Sequence, residues 1–468
     1  LDINLSFLGA ARGVTGSRYL IEANGIKLLV DCGLYQERKF QHRNWEPFRV
    51  PPGELTAVLL THAHLDHCGL LPKLVAEGFK GRVICTPATA DITKIILLDA
   101  AKIQEEDAAY KKKRHQREGR QGPHPEVPLY TIDDAEATLP LFDTVDYGET
   151  VTVGKGIEAI YYDAGHVLGS AMIKVIITQG DDKRSIVFSG DIGRWDRPML
   201  EDPSQFRRPD YIVVESTYGD REHEGSNEIG EELVEIVNQA FKAGGMILVP
   251  SFALQRAQEI LYYLNMLLME GRIPDMKVYL DSPMAIRITE VFKRYEELFD
   301  REMQALLHAQ QSPFDFPGLT MVETVEDSKA LNDIQGTAMI IAGSGMCTGG
   351  RIKHHLVQHI SRPETTVLFV GYQAEGTLGR HILDGAKSVR IHGVSRPIRA
   401  RIAQIHGFSA HADRKGLMKW LSKLAVEPRH IFVTHGEKTA AERFSAYLAE
   451  KTGYETSVPS YGTRVRLE

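Results

Sequence analysis

Residues 55–78 read LTAVLLTHAHLDHCGLLPKLVAEG. A short apolar run, Leu55–Leu60, passes straight into Thr61 and then into His62, His64, Asp66 and His67. Helical spacing resumes over Gly69–Gly78. By length and β-branching the run is a buried strand, and the segment behind it is a helix. Alternating residues at a strand end point the same way, so His62 and His64 share a face. Asp66 and His67 fall where the chain turns into the helix and can face a second cation nearby. Imidazole and carboxylate are suited to zinc. A strand in front and a helix behind exclude a loose, histidine-rich surface loop.

The same pattern recurs. Ile26–Val30 runs into Asp31, Ser185–Phe188 into Ser189, Gly190 and Asp191, Tyr211–Val214 into Glu215, and Ile431–Val433 into Thr434 and His435. A further strand, Ile157–Tyr162, leads to His166. In layered α/β folds, ligand groups collect where strands end and loops begin. These residues therefore predict one shared site. The four-residue cluster has too few donors for two cations. His166, Asp191 and His435 can complete it, and the two oxygens of Asp191 can bridge. Two zinc ions sharing a water would bring its pKa towards about 7 and offset charge on a phosphoryl oxygen. The leaving alkoxide still needs a proton, which a histidine held charged by a carboxylate can donate.

The 468 residues favour two or three domains over one, and the apolar share of 43% is that of a full globular core. A net charge of −7 argues against a protein that coats nucleic acid without regard to sequence. It leaves room for a metal-lined cleft, where binding rests on local patches. The four cysteines, Cys32, Cys68, Cys85 and Cys347, are scattered and form no CxxC pair. That argues against disulfides or a four-cysteine zinc site and points to the cytoplasm. The opening LDINLSFLGAARGVTG has neither a basic n-region nor a cleavage site, so no signal peptide is expected. No apolar run is long enough to span a membrane. The basic stretch KKKRHQR, 111–117, ends a long helix candidate over Ile92–Arg117 and reads as a solvated helix end, with an RNA-facing role as the alternative.

Beyond residue 222 helices and strands alternate: Ile229–Ala243, Met246–Val249, Ala253–Glu270, Lys277–Leu280, Thr337–Ala342 and Thr366–Val370. This predicts a second α/β layer with parallel strands. Strands ending in histidine return after about Ile398. The middle segment therefore reads as an insertion: domain one over 1–220, the insert over 221–397, and the completion of domain one over 398–468.

In this order the residues resemble the metallo-β-lactamase superfamily, and in particular its β-CASP branch of nucleic-acid hydrolases. The pattern is similar to bacterial and archaeal relatives of the endonuclease subunit of the cleavage and polyadenylation specificity factor. It spans the chain from GAARGVTGS to THGE. The resemblance implies an α/β fold, a metallo-β-lactamase αββα sandwich with an inserted α/β β-CASP domain. It implies two zinc ions: one on His62, His64 and His166, the other on Asp66, His67 and His435, with Asp191 bridging and Asp31 orienting ligand histidines. Glu215 in ESTYGDREH and His411 in GFSAHAD match branch motifs, His411 as general acid paired with Glu215. Asp413 is the competing candidate for a helix cap there.

In the insert, IAGSGMCTGGR (341–351) and GYQAEGTLGR (371–380) place Ser344, Gly345, Thr377 and Arg380 as RNA contacts, because glycines let backbone N–H groups approach phosphate. Arg256 is either a further contact or a surface helix residue. The pattern is expected to be a bare catalytic core, without the N-terminal RNA-binding extension of archaeal relatives or the long C-terminal domain of processive bacterial ones. Any sequence preference is then expected from the cleft or a partner, and a homodimer is compatible with the sequence.

The expected activity is hydrolysis of single-stranded RNA, endonucleolytic and also 5′-to-3′ exonucleolytic in some relatives, in RNA processing or decay. The rivals are a small-substrate hydrolase, a DNA nuclease of the same superfamily and a non-catalytic RNA-processing scaffold. An insert of this size argues against the first. Those DNA nucleases typically have an apolar residue where His435 stands. Filled ligand positions argue against the scaffold. Manganese in place of zinc is left open.

Overall fold

The structure is a computed structural model and describes residues 2–122, 124–223 and 228–468. The chain divides into two compact units, Leu1–Glu222 with His411–Glu468, and His223–Ala410.

The first unit has two seven-stranded sheets. One runs Arg464–Leu467, Ile3–Phe7, Tyr19–Ala23, Ile26–Val30, Ala57–Leu59, Arg82–Cys85, Phe142–Thr144 in spatial order. The other runs Thr456–Ser457, His430–Val433, Tyr211–Val214, Asp182–Phe188, Ala171–Gln179, Ile157–Asp163, Thr150–Gly154. Alternate side chains of both sheets meet in one core, with Leu5, Phe7, Ile21 and Leu59 from the first against Tyr161, Ile173, Phe188 and Val213 from the second. The opposite face of the second sheet (Val187, Ile212, Val214) packs on Leu417, Trp420, Phe444 and Leu448. Those residues belong to helices Arg414–Leu421 and Lys438–Thr452. On the first sheet, Leu29, Val58 and Val83 alternate with the inner residues and are buried as well. That is the expected αββα sandwich, and its strands read as continuous apolar runs because both faces are covered.

Local chemistry sets the helix limits. The 32-residue helix Pro87–Glu118 begins five residues before the expected Ile92. The Thr86 side chain accepts from Thr89 N, proline occupies the first turn, and Gly119 closes the far end at φ 62°.

The second unit is built on a six-stranded sheet ordered Leu319–Met321, Lys277–Asp281, Ala338–Ala342, Ile247–Pro250, Thr366–Phe369, Arg401–Gln404. All its pairings are parallel, as the alternation of strands and helices predicts. Helix Ile352–His359 buries Ile352 and Leu356 against Leu248, Ile340 and Phe369. The expected boundary at 397/398 falls inside this unit, because Arg401–Gln404 pairs with Thr366–Phe369 as its edge strand. The Arg256 guanidinium is buried, ion-paired to Glu259 at 2.8 Å and 5.1 Å from the centre of the Phe408 ring, so it is no surface residue.

Candidate metal centre

The predicted residues of the first unit converge. Strand Ala57–Leu59 ends just before His62, and helix Leu65–Cys68 carries Asp66 and His67. His166 follows Ile157–Asp163, Asp191 follows Asp182–Phe188, Glu215 follows Tyr211–Val214 and His435 follows His430–Val433. The parallel pairings of Tyr211–Val214 with Asp182–Phe188 and with His430–Val433 bring three of these strand ends to one edge.

Asp191 sits at the middle. Its Oδ2 lies 3.4 Å from both His62 Nε2 and His166 Nε2. Its Oδ1 lies 3.3 Å from His67 Nε2 and 3.5 Å from His435 Nε2. His64 Nδ1 closes the first set, 3.0 Å from His62 Nε2 and 3.3 Å from His166 Nε2. Asp66 Oδ2 closes the second, 3.5 Å from His435 Nε2. The donor atoms of His62, His64, His166 and Asp191 lie within 4.8 Å of one another, as do those of Asp66, His67 and His435.

These donors fit cations. Asp191 Oδ1 is buried and accepts no hydrogen bond. His67 Nε2 and His435 Nε2 both face it and stand only 3.0 Å apart. Burial, reinforced by neighbouring imidazoles, holds His64 down at about 3 and His166 well below the ordinary histidine value. Neutral imidazoles with free lone pairs are the form that binds metal.

A supporting layer orients the donors. Asp31 Oδ2 accepts from His67 Nδ1 at 2.6 Å, which frees Nε2 for a ligand bond. Asp31 is itself fixed by Thr61 N at 2.9 Å, Thr61 Oγ1 and Ser17 Oγ. Thr217 Oγ1 lies 3.3 Å from His435 Nδ1. Sequence reading passed over Thr61, Ser17 and Thr217. For Thr61 and Thr217 the available signal was a hydroxyl residue close to the strand-end imidazole or acid, as in VLLTH and VESTY.

His411 enters on the loop before helix Arg414–Leu421, bridged to Gly193 and followed by the Ala412 N to Ile192 O bond of 2.8 Å. Its Nδ1 is 3.2 Å from Glu215 Oε1 and 3.8 Å from Asp191 Oδ2. Burial disfavours the charged ring, but the Glu215 and Asp191 carboxylates outweigh it and raise His411 to about 9. Ile192 N donates to Glu215 Oε1 at 2.6 Å and holds that carboxylate in place. Asp413 caps the helix, accepting from Gly416 N.

The four residues predicted as RNA contacts lie in the second unit. The Ser344 hydroxyl is 3.2 Å from that of Thr348, and Gly345 allows the Phe252 ring to approach where a Cβ would meet it at 2.8 Å. Thr377 caps helix Leu378–Leu383, and the exposed Arg380 is paired with Asp384 at 2.9 Å. All four cysteines are buried and free, as expected of small apolar residues. Among the described residues no helix is long and apolar enough to cross a membrane.

Family profiles match along the chain: the metallo-beta-lactamase superfamily over 11–210, the Beta-Casp domain over 257–382, and the Zn-dependent metallo-hydrolase RNA specificity domain over 395–459. A ribonuclease of Thermus thermophilus is 40% identical over 98% of this chain and 98% of its own length. The chain belongs to the β-CASP branch of the metallo-β-lactamase superfamily. Among other β-CASP relatives, the transcription termination factor FttA of Methanocaldococcus jannaschii is 33% identical over all of this chain and 72% of its own. A crystal structure of an Enterococcus faecalis V583 protein of unknown function covers both chains fully at a TM-score of 0.56 and 12% identity, a likeness of fold. The resemblance read from the strand ends and the layered β-CASP architecture it implied are both borne out.

Proposed function

We propose that this protein is a zinc-dependent ribonuclease that hydrolyses phosphodiester bonds of single-stranded RNA in the cytoplasm. The observation that carries the reading is the division of the donors about Asp191, one set on each carboxylate oxygen, beside an imidazole kept charged by Glu215. The 40% identity to a named ribonuclease over nearly the full length supports the substrate.

His62, His64 and His166 with Asp191 Oδ2 would hold one zinc, and Asp66, His67 and His435 with Asp191 Oδ1 the other. Zinc there supplies Lewis acidity towards a phosphoryl oxygen and an activated water at neutral pH. Asp31 keeps the proton on His67 Nδ1, so that Nε2 faces inward. Glu215 keeps the proton on His411 Nδ1 and stabilises the charged ring. His411 Nε2–H is then the proton that passes to the leaving oxygen. With a value near 9, His411 carries that proton at neutral pH.

The test is incubation of zinc-loaded protein with one synthetic RNA labelled at either end, and with the same sequence closed into a circle. We expect hydrolysis that a chelator stops, and cleavage of the circle if attack is internal. A zinc-loaded protein that binds RNA and cuts neither form would refute the assignment.

A further inference from the structure

The first unit carries a basic, aromatic rim that the chemistry above does not use. The loop containing Arg12 packs on the strand end that carries His435. His435 N donates to Ala10 O at 2.7 Å, and Gly436 N to Gly13 O at 3.2 Å. The same loop is bound on its other side to the segment around Lys39. Val14 N and Thr15 N donate to Glu37 Oε2 at 3.0 and 3.1 Å, and a Cβ on Gly13 would stand 2.7 Å from the Phe40 ring. Three segments distant in sequence therefore meet beside one predicted zinc ligand.

Two of the cations there, Arg43 and Arg49, are mounted on aromatic faces instead of carboxylates. The Arg43 guanidinium lies 4.4 Å from the centre of Phe40 and 4.0 Å from that of Tyr461. Arg49 lies 4.7 Å from the centre of Tyr461, and Lys39 4.7 Å from that of Phe40. Arg12 donates to Val458 O at 3.2 Å, three residues before Tyr461. Among the described residues no carboxylate is paired with Arg12, Arg43 or Arg49. Lys39 is the partial exception, 3.5 Å from Glu37 Oε1, but its side chain is 58% exposed, so the pair is screened by solvent. Stacking holds a guanidinium in place without neutralising it. On a chain of net charge −7, unneutralised cations gathered beside one loop attract polyanions locally.

We propose that Arg12, Lys39, Arg43 and Arg49, with the faces of Phe40 and Tyr461, form an RNA-anchoring rim on the first unit. The rim takes backbone phosphates of the strand whose scissile phosphate lies at the metal centre. The proposal rests on the ribonuclease reading for its ligand. Recognition is by charge and ring face, so it is tolerant of sequence. An acidic protein partner would fit the charges but leaves the continuity with the His435 loop without a purpose.

The test is equilibrium binding of a fluorescent single-stranded RNA by anisotropy across a salt series. Lys39→Gln, Arg43→Gln and Arg49→Gln are combined in one variant. Each phosphate contact on a single strand contributes about 0.7 to the slope of log K against log salt, so three losses should lower it by about 2 and weaken binding roughly a hundredfold at 0.1 M salt. Lys39→Gln alone removes one exposed charge, leaving the Glu37 bonds to Val14 N and Thr15 N in place, and should weaken binding several-fold with the folded dichroism spectrum retained. Lys155→Gln, in the turn before strand Ile157–Asp163 and so at the end remote from His166, makes the same charge change and should leave slope and affinity unaltered. A triple variant with the wild-type melting profile and an unchanged slope overturns the rim while leaving the ribonuclease reading intact. A wild-type protein that neither binds nor cuts RNA overturns both.

Discussion

Asp191 offers one oxygen to each donor set, so its loss should reach both sets. We expect Asp191→Ala to lower bound zinc by at least half in elemental analysis. Retention of two full equivalents would remove its bridging role. His411 is a different kind of residue, since its Nδ1 pairs with Glu215 at 3.2 Å and stands 3.8 Å from Asp191 Oδ2. His411→Ala should keep its zinc and its RNA affinity while kcat falls about 10²–10⁴-fold, the ordinary worth of a positioned proton donor. The pH profile reports the pair. A general acid works only while protonated, so activity should fall as pH rises through the His411 value, which the Glu215 carboxylate holds above the ordinary histidine range. Glu215→Gln removes the charge that raises it, and the alkaline limb should move to lower pH. A limb that stays in place would show that another group sets it.

At the scale of elements, the strand ends were legible in sequence because buried parallel strands are uniformly apolar, and the first ionisable residue after them stands out. Much of what holds those ends together was not legible. Gly193 looks like an ordinary turn glycine in SGDIGR, yet a Cβ there would stand 1.7 Å from Gly165 O, across the contact between the Asp191 and His166 loops. Gly33 makes the same close approach to Asp66 O, also at 1.7 Å. Such contacts join segments remote in sequence and leave no periodic trace. The hydroxyl of Ser17, with no acid or imidazole beside it in sequence, was overlooked for the same reason. The insert ran past its expected end because Arg401–Gln404, a four-residue run opening on an arginine, reads as the start of something new and becomes a strand only by pairing at a sheet edge. Gly193→Ala must push the His166 loop away. It should cost about 1–3 kcal/mol in chemical denaturation, the usual range for overpacking, and should lower zinc affinity as well. Wild-type stability and metal content in that variant would mean that the loop yields freely.

Across the whole molecule, the two units have separate cores and different electrostatic weak points, and two probes can tell them apart. Trp45, Trp195 and Trp420 are the only tryptophans, and all three lie in the first unit, so their fluorescence follows that unit while far-UV dichroism follows both. The first unit holds Asp31, Asp66 and Asp191 against clustered imidazoles, an arrangement that bound cations would stabilise. Chelation should therefore lower the tryptophan-detected midpoint. The second unit buries His359, 1% exposed and with neither ring nitrogen hydrogen-bonded. Burial and then the nearby Arg362 hold His359 down at about 4. The folded state thus binds fewer protons than the unfolded chain between about 4 and the ordinary histidine value, so stability is complete above that window and is lost as pH falls through it. His359→Leu removes this penalty. At pH 5 it should raise the dichroism-detected transition of the second unit by about 2–4 °C or more, with little gain at pH 7 and no change in the chelator-sensitive tryptophan signal. An equal shift at both pH values would mean that leucine merely packs better, and that protonation of His359 does not limit the acid stability of this unit.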